Sequence, residues 1–517
     1  MSLVTQNRPD LGASGQKPAH LPPLALRFKV DKPRAMRERI RRNISHKFLG
    51  EAGSRVVGFA FNLVLARGLG AATYGRYSYA YAFAGLVALC GELGINTLIT
   101  REIAHDRERA PELLRRFAPL RLASVALVAL STGLLALGFA DRSRILEIAL
   151  MSVFTGATTL IDYNSAVFSA FERMGQEALM RVVARIVVSG SGIAAVLLGA
   201  PLVPTIGAIA GVNFLAALGG WAYRKRLGIA FGATWDPSFI RATLSKLLPM
   251  TAASMAGVVY FYMDSLLLKG LGFDDASIGQ YSAASRILEA SHALPLVIAG
   301  GLFPVAAELS HQGDPAALAP LFSRVARLAL LFAAPLAAVS AVLSPFAAGA
   351  LYGPGYAETG SALALLALSA PLYYSNLVSL TLFMAMGRLW TTAIVRAAAV
   401  TVKLAALLVA SRWVGAQSPA VGMLVADSAL FLFLLAYRTR HRLSEPGERM
   451  MVLSGAATSA ATLLVYLAVR GRGIPAEAAA VGAAFIAVYA AVHASLARRA
   501  QQRCSNQPAA ADPVPRR

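Results

Sequence analysis

The stretch ARGLGAATYGRYSYAYAFA, Ala66–Ala84, returns in outline as LKGLGFDDASIGQYSAASR, Leu268–Arg286. Each copy has a basic residue, Gly-Leu-Gly, a short polar linker, a glycine, a polar residue, Tyr-Ser and an alanine-rich run. The first tetrads are Arg67-Gly68-Leu69-Gly70 and Lys269-Gly270-Leu271-Gly272, 202 residues apart. The second, Gly75-Arg76-Tyr77-Ser78 and Gly279-Gln280-Tyr281-Ser282, are 204 apart. Both copies sit between long apolar segments, so each reads as the same helix–turn–helix corner. A duplication of this kind in an apolar chain points to two related halves, a plan common among transporters.

The composition sets the environment. Of 517 residues, 56% are hydrophobic and 15% charged, with a mean hydropathy of +0.57. Soluble domains carry about 25% charged residues. At roughly 20 apolar residues per crossing, the sequence predicts an all-α integral membrane protein of about fourteen transmembrane helices. Residues 1–47 read as a disordered basic cytoplasmic tail, 48–224 as an N-lobe of six spans and 225–246 as a cytoplasmic linker. Residues 247–440 read as a six-span C-lobe, 441–497 as spans 13 and 14 (450–469 and 474–496), and 498–517 as a cytoplasmic tail. Lys and Arg between spans concentrate in alternate segments, beginning with the N-terminal one. That asymmetry places both termini in the cytoplasm, with an even number of spans. It also explains the net charge of +22 without nucleic acid. Cys90 and Cys504 are not expected to pair. The sequence shows no metal-ligand cluster and no phosphate-binding loop, and no cofactor is expected.

Ionisable groups at membrane depth are expensive, so each is a site candidate or a structural pair. Glu51 and Arg55 in the first span share a helical face at i, i+4. Arg55 reads as facing a central cavity and drawing an anion, or else as half of a structural pair with Glu51. In the eighth span Arg286, Glu289 and His292 follow at i, i+3 steps. An arginine holds a phosphate bidentately, while Glu and His can change protonation in a transport cycle. The same three residues could instead form a structural helix-interface cluster. Asp264, just before the second corner, could neutralise Lys269 or a cavity arginine. Asp162 makes a polar patch with Tyr163, Asn164 and Ser165. Glu92, Lys403 and Asp427 read as isolated charges. For all five, ligand contact and structural pairing both remain open. Tyr260, Tyr262, Tyr373 and Tyr374 read as interfacial anchors by default, with sugar stacking as the other use.

The run Ser54-Arg55-Val56-Val57-Gly58-Phe59 through Leu65-Ala66-Arg67-Gly68-Leu69-Gly70, then Tyr74-Gly75-Arg76-Tyr77-Ser78, resembles the opening of polysaccharide-export flippases. So do Gly91-Glu92-Leu93-Gly94-Ile95-Asn96 with Arg101-Glu102, Ala170-Phe171-Glu172-Arg173-Met174, Tyr281-Ser282-Ala283-Ala284, Leu351-Tyr352-Gly353 and Met386-Gly387-Arg388. The resemblance runs from about residue 44 to 440. These proteins belong to the multidrug/oligosaccharidyl-lipid/polysaccharide exporter superfamily. Membership implies two six-helix lobes around a cavity that opens alternately to the two membrane faces. It implies flipping of a polyprenyl-diphosphate-linked oligosaccharide from the cytoplasmic to the outer leaflet of a bacterial inner membrane. The glycan could serve lipopolysaccharide, O-antigen or exopolysaccharide synthesis, with membrane lipids, a glycan polymerase and chain-length machinery as partners. Ser54-Arg55 and Arg286-Ile287-Leu288-Glu289 are similar to two cavity features of the related lipid II flippases. A further first-span arginine of that group is Phe61 here, which favours a different lipid-linked glycan.

On these grounds Arg55, Arg286, Glu289 and Lys403 are the expected substrate-binding residues. Glu51, Asp162, Asp264 and His292 are the expected cavity or coupling residues, with proton or sodium coupling both open. A cation-coupled multidrug exporter of the same superfamily is the alternative, although its cavity should be dominated by acids. A membrane polysaccharide polymerase or ligase is a further alternative and should carry a sizeable outer loop. No loop here provides one.

Overall fold

The computed structural model describes residues 33–92, 94–139, 141–229, 232–311, 318–323, 337, 340 and 343–441. Two units are distinguished, Met1–Arg41 and Arg42–Arg517. Of the first, residues 33–41 are helical. The packed helices belong to the second. Expected spans 13 and 14 and the C-terminal tail lie outside the described residues, as do the side chains of Glu51, Glu92 and Cys90. Expected span 9 is described only in part.

Every regular element among the described residues is helical. The first half holds α1 (Pro33–Glu92), α2 (Ile95–His105), α3 (Ala110–Phe139), α4 (Ile145–Ala170), α5 (Met174–Leu197) and α6 (Leu202–Arg226). The second holds α7 (Pro237–Gly270), α8 (Asp275–Ser291), α9 (Ala293–His311), α10 (Thr359–Ala385), α11 (Leu389–Val414) and α12 (Ser418–Arg440). Among the described residues, seven helical segments are long and apolar enough to cross a membrane. One of these, Leu389–Arg440, takes in two of the expected spans, and Ala52–Leu89 covers most of the first expected span and part of the second. Leu122, Leu130, Leu134 and Leu137 on α3 are each more than half exposed. An apolar face of that length suits hydrocarbon rather than water. This is a multi-pass helical membrane protein.

Helix starts follow local chemistry. Asp236 caps α7 by accepting from the Phe239 amide at 3.1 Å, with Pro237 in the first turn. Asp274 caps α8 by accepting from the Ser277 amide at 3.1 Å. Such caps satisfy amides that the helix itself leaves unpaired. Hydrogen bonding by Ser277 holds the Asp274 carboxyl below the usual carboxylate range.

Packing separates the halves. In the first, α4 is the central helix, in contact with α2, α3, α5 and α6. In the second, α10 packs on α8, α9 and α12, while α11 packs on α7 and α12. Tyr260 and Tyr374 are 7% and 1% exposed within the second core. They are therefore packing residues, not the interfacial anchors their position in sequence suggested. The sequence favoured anchoring because an aromatic near a span end does not reveal which neighbour covers it.

The duplicated corners adopt matching geometry and meet. Gly70 and Gly272, the last glycines of each Gly-Leu-Gly, have φ of +74° and +87°. A side chain would strain either position. Gly75 and Gly279 lie backbone to backbone. A Cβ on Gly75 would strike the Asp275 carbonyl oxygen and approach the Gly279 nitrogen, while one on Gly279 would strike the Ala71 carbonyl oxygen and approach the Gly75 nitrogen. The 204-residue offset relates these contacts to one another, as an axis of approximate two-fold symmetry between the corners requires. Around them Arg144 donates to both Asp275 oxygens at 2.9 Å, and Lys269 lies 3.2 Å from the same carboxylate. Tyr356 donates to the Ala66 carbonyl at 2.6 Å, tying the second half to the first corner. Thus the halves are joined at the corner end.

Candidate functional site

Below the joined corners, α1, α7 and α8 enclose a cavity of about 360 Å³. Its wall includes Arg55, Ser78 and Tyr81 from α1, Tyr262 and Asp264 from α7, and Ser282, Arg286 and Glu289 from α8, with His292 following. Five residues expected from the sequence, Arg55, Asp264, Arg286, Glu289 and His292, therefore share one cavity although as many as 237 positions separate them in the chain. One arginine comes from each half. The chain must be folded as a helical pair of halves for this to occur, since neither half presents both.

The three i, i+3 residues after the second corner behave differently. Arg286 Nη1 donates to Glu289 Oε2 at 2.7 Å, and the guanidinium lies 5.0 Å from the centroid of the Tyr81 ring. Cation and ring attract through the quadrupole of the π face. The His292 ring lies against Tyr373, centroids 4.3 Å apart and planes tilted by 30°, and also neighbours Phe261. Its Nε2 is buried without a hydrogen-bond partner among the described residues. An unsatisfied polar atom in a cavity wall is a ready contact for a ligand's donor or acceptor.

Asp264 and Lys403 correct the sequence reading. Lys403 is neither isolated nor at the cavity surface. It is fully buried, with Nζ 2.7 Å from Asp264 Oδ1 and 4.4 Å from the Tyr260 ring centroid, and it donates to the Tyr260 carbonyl. Asp264 accordingly neutralises Lys403, while Lys269 pairs with Asp275 instead. Tyr281 donates to Asp264 Oδ2 at 2.6 Å. The reason is tertiary: α11 packs along α7, and burying either charge alone would be strongly unfavourable. Asp427 is not isolated either, since Asn376 Nδ2 donates to its carbonyl at 3.0 Å and lies 3.4 Å from its Oδ1. Asp162 does not reach the arginine cavity. It pairs with Arg181 at 3.1 Å and lines a second cavity of about 270 Å³ with Thr155, Thr158 and Thr159.

Tyr81 and Tyr262 border both cavities, their hydroxyls 3.3 Å apart and their ring centroids 5.6 Å apart. Tyr81 belongs to the first half and Tyr262 to the second, so the pair is a bridge between halves. Sequence reasoning assigned no site role to Ser78, Ser282 or Tyr81, and it read Tyr262 as an interfacial anchor by default. A signal for the serines was present, because both occupy the same Tyr-Ser position of the duplicated corner. Among the described residues, no group of three or more His, Cys, Asp and Glu is placed to hold a metal ion.

Residues 40–310 match the family model described as "Polysaccharide biosynthesis protein". The chain belongs to that family. In solved structures, a lipid II flippase, MurJ, in an inward closed conformation shares the fold with a TM-score of 0.60 at 14% identity. That similarity covers 86% of this chain and 98% of MurJ. An inward-facing multidrug resistance MATE family transporter of the MOP superfamily also gives 0.60 at 14% identity, covering 75% and 95%. An outward-facing one gives 0.56 at 16%, covering 81% and 97%. The fold is thus that of the MOP-superfamily transporters. No curated protein matches the chain in sequence.

Proposed function

We propose that this polysaccharide biosynthesis family member flips a polyprenyl-diphosphate-linked oligosaccharide from the cytoplasmic to the outer leaflet of the cell membrane. The observation that carries this reading is the presence of Arg55 and Arg286, one from each half, in the wall of a single cavity. A diphosphate cannot cross hydrocarbon unaided, and guanidinium groups are suited to its oxygens. Because the arginines belong to different halves, relative movement of the halves would carry the headgroup without releasing it into lipid. The lipid tail would stay in the bilayer.

The other members of the site take supporting roles in this reading. Ser78, Ser282 and His292 Nε2 offer hydrogen bonds to phosphate or sugar. Lys403 and Tyr281 hold the Asp264 carboxylate at the wall, where it serves as the candidate coupling residue. Positive-inside charge supports cytoplasmic termini, which puts the joined corners on the outer side and a headgroup entry on the cytoplasmic side.

A multidrug exporter is the second reading, supported by Asp264 and Glu289 in the same wall and by the fold shared with MATE transporters. The test is flipping of a fluorescent polyprenyl-diphosphate oligosaccharide in proteoliposomes by the parent protein and by Arg286→Ala. The expected result is flipping by the parent and at least about a tenfold loss in the variant, as removal of a charge-assisted contact predicts. Absence of flipping with efflux of a cationic dye would overturn the substrate assignment in favour of the exporter.

A further inference from the structure

The Arg286 guanidinium has a partner within the cavity wall. Its partner is Glu289, one helical turn on, at 2.7 Å. The two side chains differ in access, Glu289 being 38% exposed and Arg286 18%. Both border the cavity, and the carboxylate is the more open of the two. Their i, i+3 spacing on α8 keeps them within reach of each other without any movement of the backbone. A phosphate oxygen entering the cavity would seek the same N–H groups that the carboxylate occupies, because both are anions matched to the guanidinium fork.

We propose that Glu289 is a built-in stand-in for the ligand's phosphate. It compensates Arg286 while the cavity is empty, gives way when a diphosphate enters, and returns when the diphosphate leaves. The inference rests on reading the cavity as a diphosphate site. Its physical basis is the cost of enclosing an uncompensated guanidinium in a low-dielectric interior. A flippase that delivers cargo in one direction must close around the empty cavity once in every cycle. With Glu289 in place the empty form can do so on a neutral pair, and no cation or anion from solution is needed to balance Arg286 for the return. The same carboxylate opposes binding, so affinity is exchanged for turnover.

The sign of this effect separates it from a structural role. A glutamate that merely positioned Arg286 would, on removal, weaken binding and transport together. A competitor would, on removal, strengthen binding and slow the empty return. The test uses the full-length protein in detergent, titrated with farnesyl diphosphate, comparing parent, Glu289→Gln and Glu289→Asp at matched thermal stability. Glu289→Gln is expected to bind about tenfold more tightly, and Glu289→Asp to restore the parent affinity. In proteoliposomes, Glu289→Gln should lose net flipping of a labelled polyprenyl-diphosphate oligosaccharide to a much greater extent than exchange of labelled for unlabelled ligand. Exchange never requires the empty protein to reorient.

Binding by the parent with equal or weaker binding by Glu289→Gln would overturn the stand-in role and leave the diphosphate site intact. A parallel loss of exchange and net flipping would overturn it equally. Failure of the parent to bind farnesyl diphosphate would overturn the diphosphate reading itself, and this inference with it.

Discussion

At the scale of single residues, the pair between Lys403 and Asp264 is the clearest case of a charge placed for its neighbour. Lys403 is wholly buried, and Asp264 is exposed only where it meets the cavity. Removing one partner leaves the other uncompensated, which typically costs about 3–5 kcal/mol. Lys403→Met is therefore expected to lower thermal stability in detergent by that order. Adding Asp264→Asn to it should recover a substantial part of the loss, and a double-mutant cycle on the melting midpoints measures the coupling. If the two substitutions are additive, the ion pair is not what holds α7 to α11 here. The sequence displayed Lys403 as an apolar-span lysine, a pattern equally consistent with a ligand contact. Only the approach of α11 to α7 distinguishes the two. By contrast, Arg286 and Glu289 were legible as a unit, because their i, i+3 spacing on α8 fixes their shared face before any tertiary contact forms, while His292 lies just past the end of that helix.

At the scale of elements, the corner between α7 and α8 joins local signals to the meeting of the halves. Asp274 starts α8, and the next residue, Asp275, receives both Arg144 and Lys269. Loss of an N-cap costs about 1 kcal/mol, so Asp274→Ala is expected to lower the melting temperature near neutral pH. Because the Asp274 carboxyl is held below its ordinary range by Ser277, its contribution is present above the unfolded value of about 3.9 and is lost as pH falls through the folded value. The difference between parent and variant should therefore shrink at pH below about 4. A difference that persists unchanged at lower pH would show that the ionised cap is not its source. The corner itself was readable from sequence. Two Gly-Leu-Gly tetrads at nearly equal offsets predicted one backbone shape used twice, and Gly70 and Gly272 share positive φ. What could not be read was the direction in which each corner faces, since that depends on how two separately folded halves dock.

For the whole molecule, the halves meet backbone to backbone where Gly75 and Gly279 touch. A larger residue at either position cannot be absorbed by a side-chain rotation, because the obstructing atoms are backbone. Gly75→Val is expected to force the halves apart at this end. In a cysteine-free background carrying Ser282→Cys, it should make the cavity cysteine reactive toward a membrane-impermeant thiol reagent added on the corner side. Unchanged protection would mean that the corners are not the closure at that end. The helical class, the two related halves and the cavity arginines were all legible in the chain, because periodicity, duplication and buried charge each leave a local mark. The Tyr81–Tyr262 bridge and the placement of Lys403 behind Asp264 were not, because each depends on a helix pairing that the chain encodes only through its complete packing.

The glycine contact also bears on membrane leakiness. A cavity wide enough for a charged headgroup would, if sealed by mobile side chains, invite a thread of water and with it a passage for protons. Backbone pressed against backbone at Gly75 and Gly279 leaves no room for water between those two residues. A protein closed in this way can hold a large polar cavity within an energised membrane while leaving the voltage across that membrane undiminished.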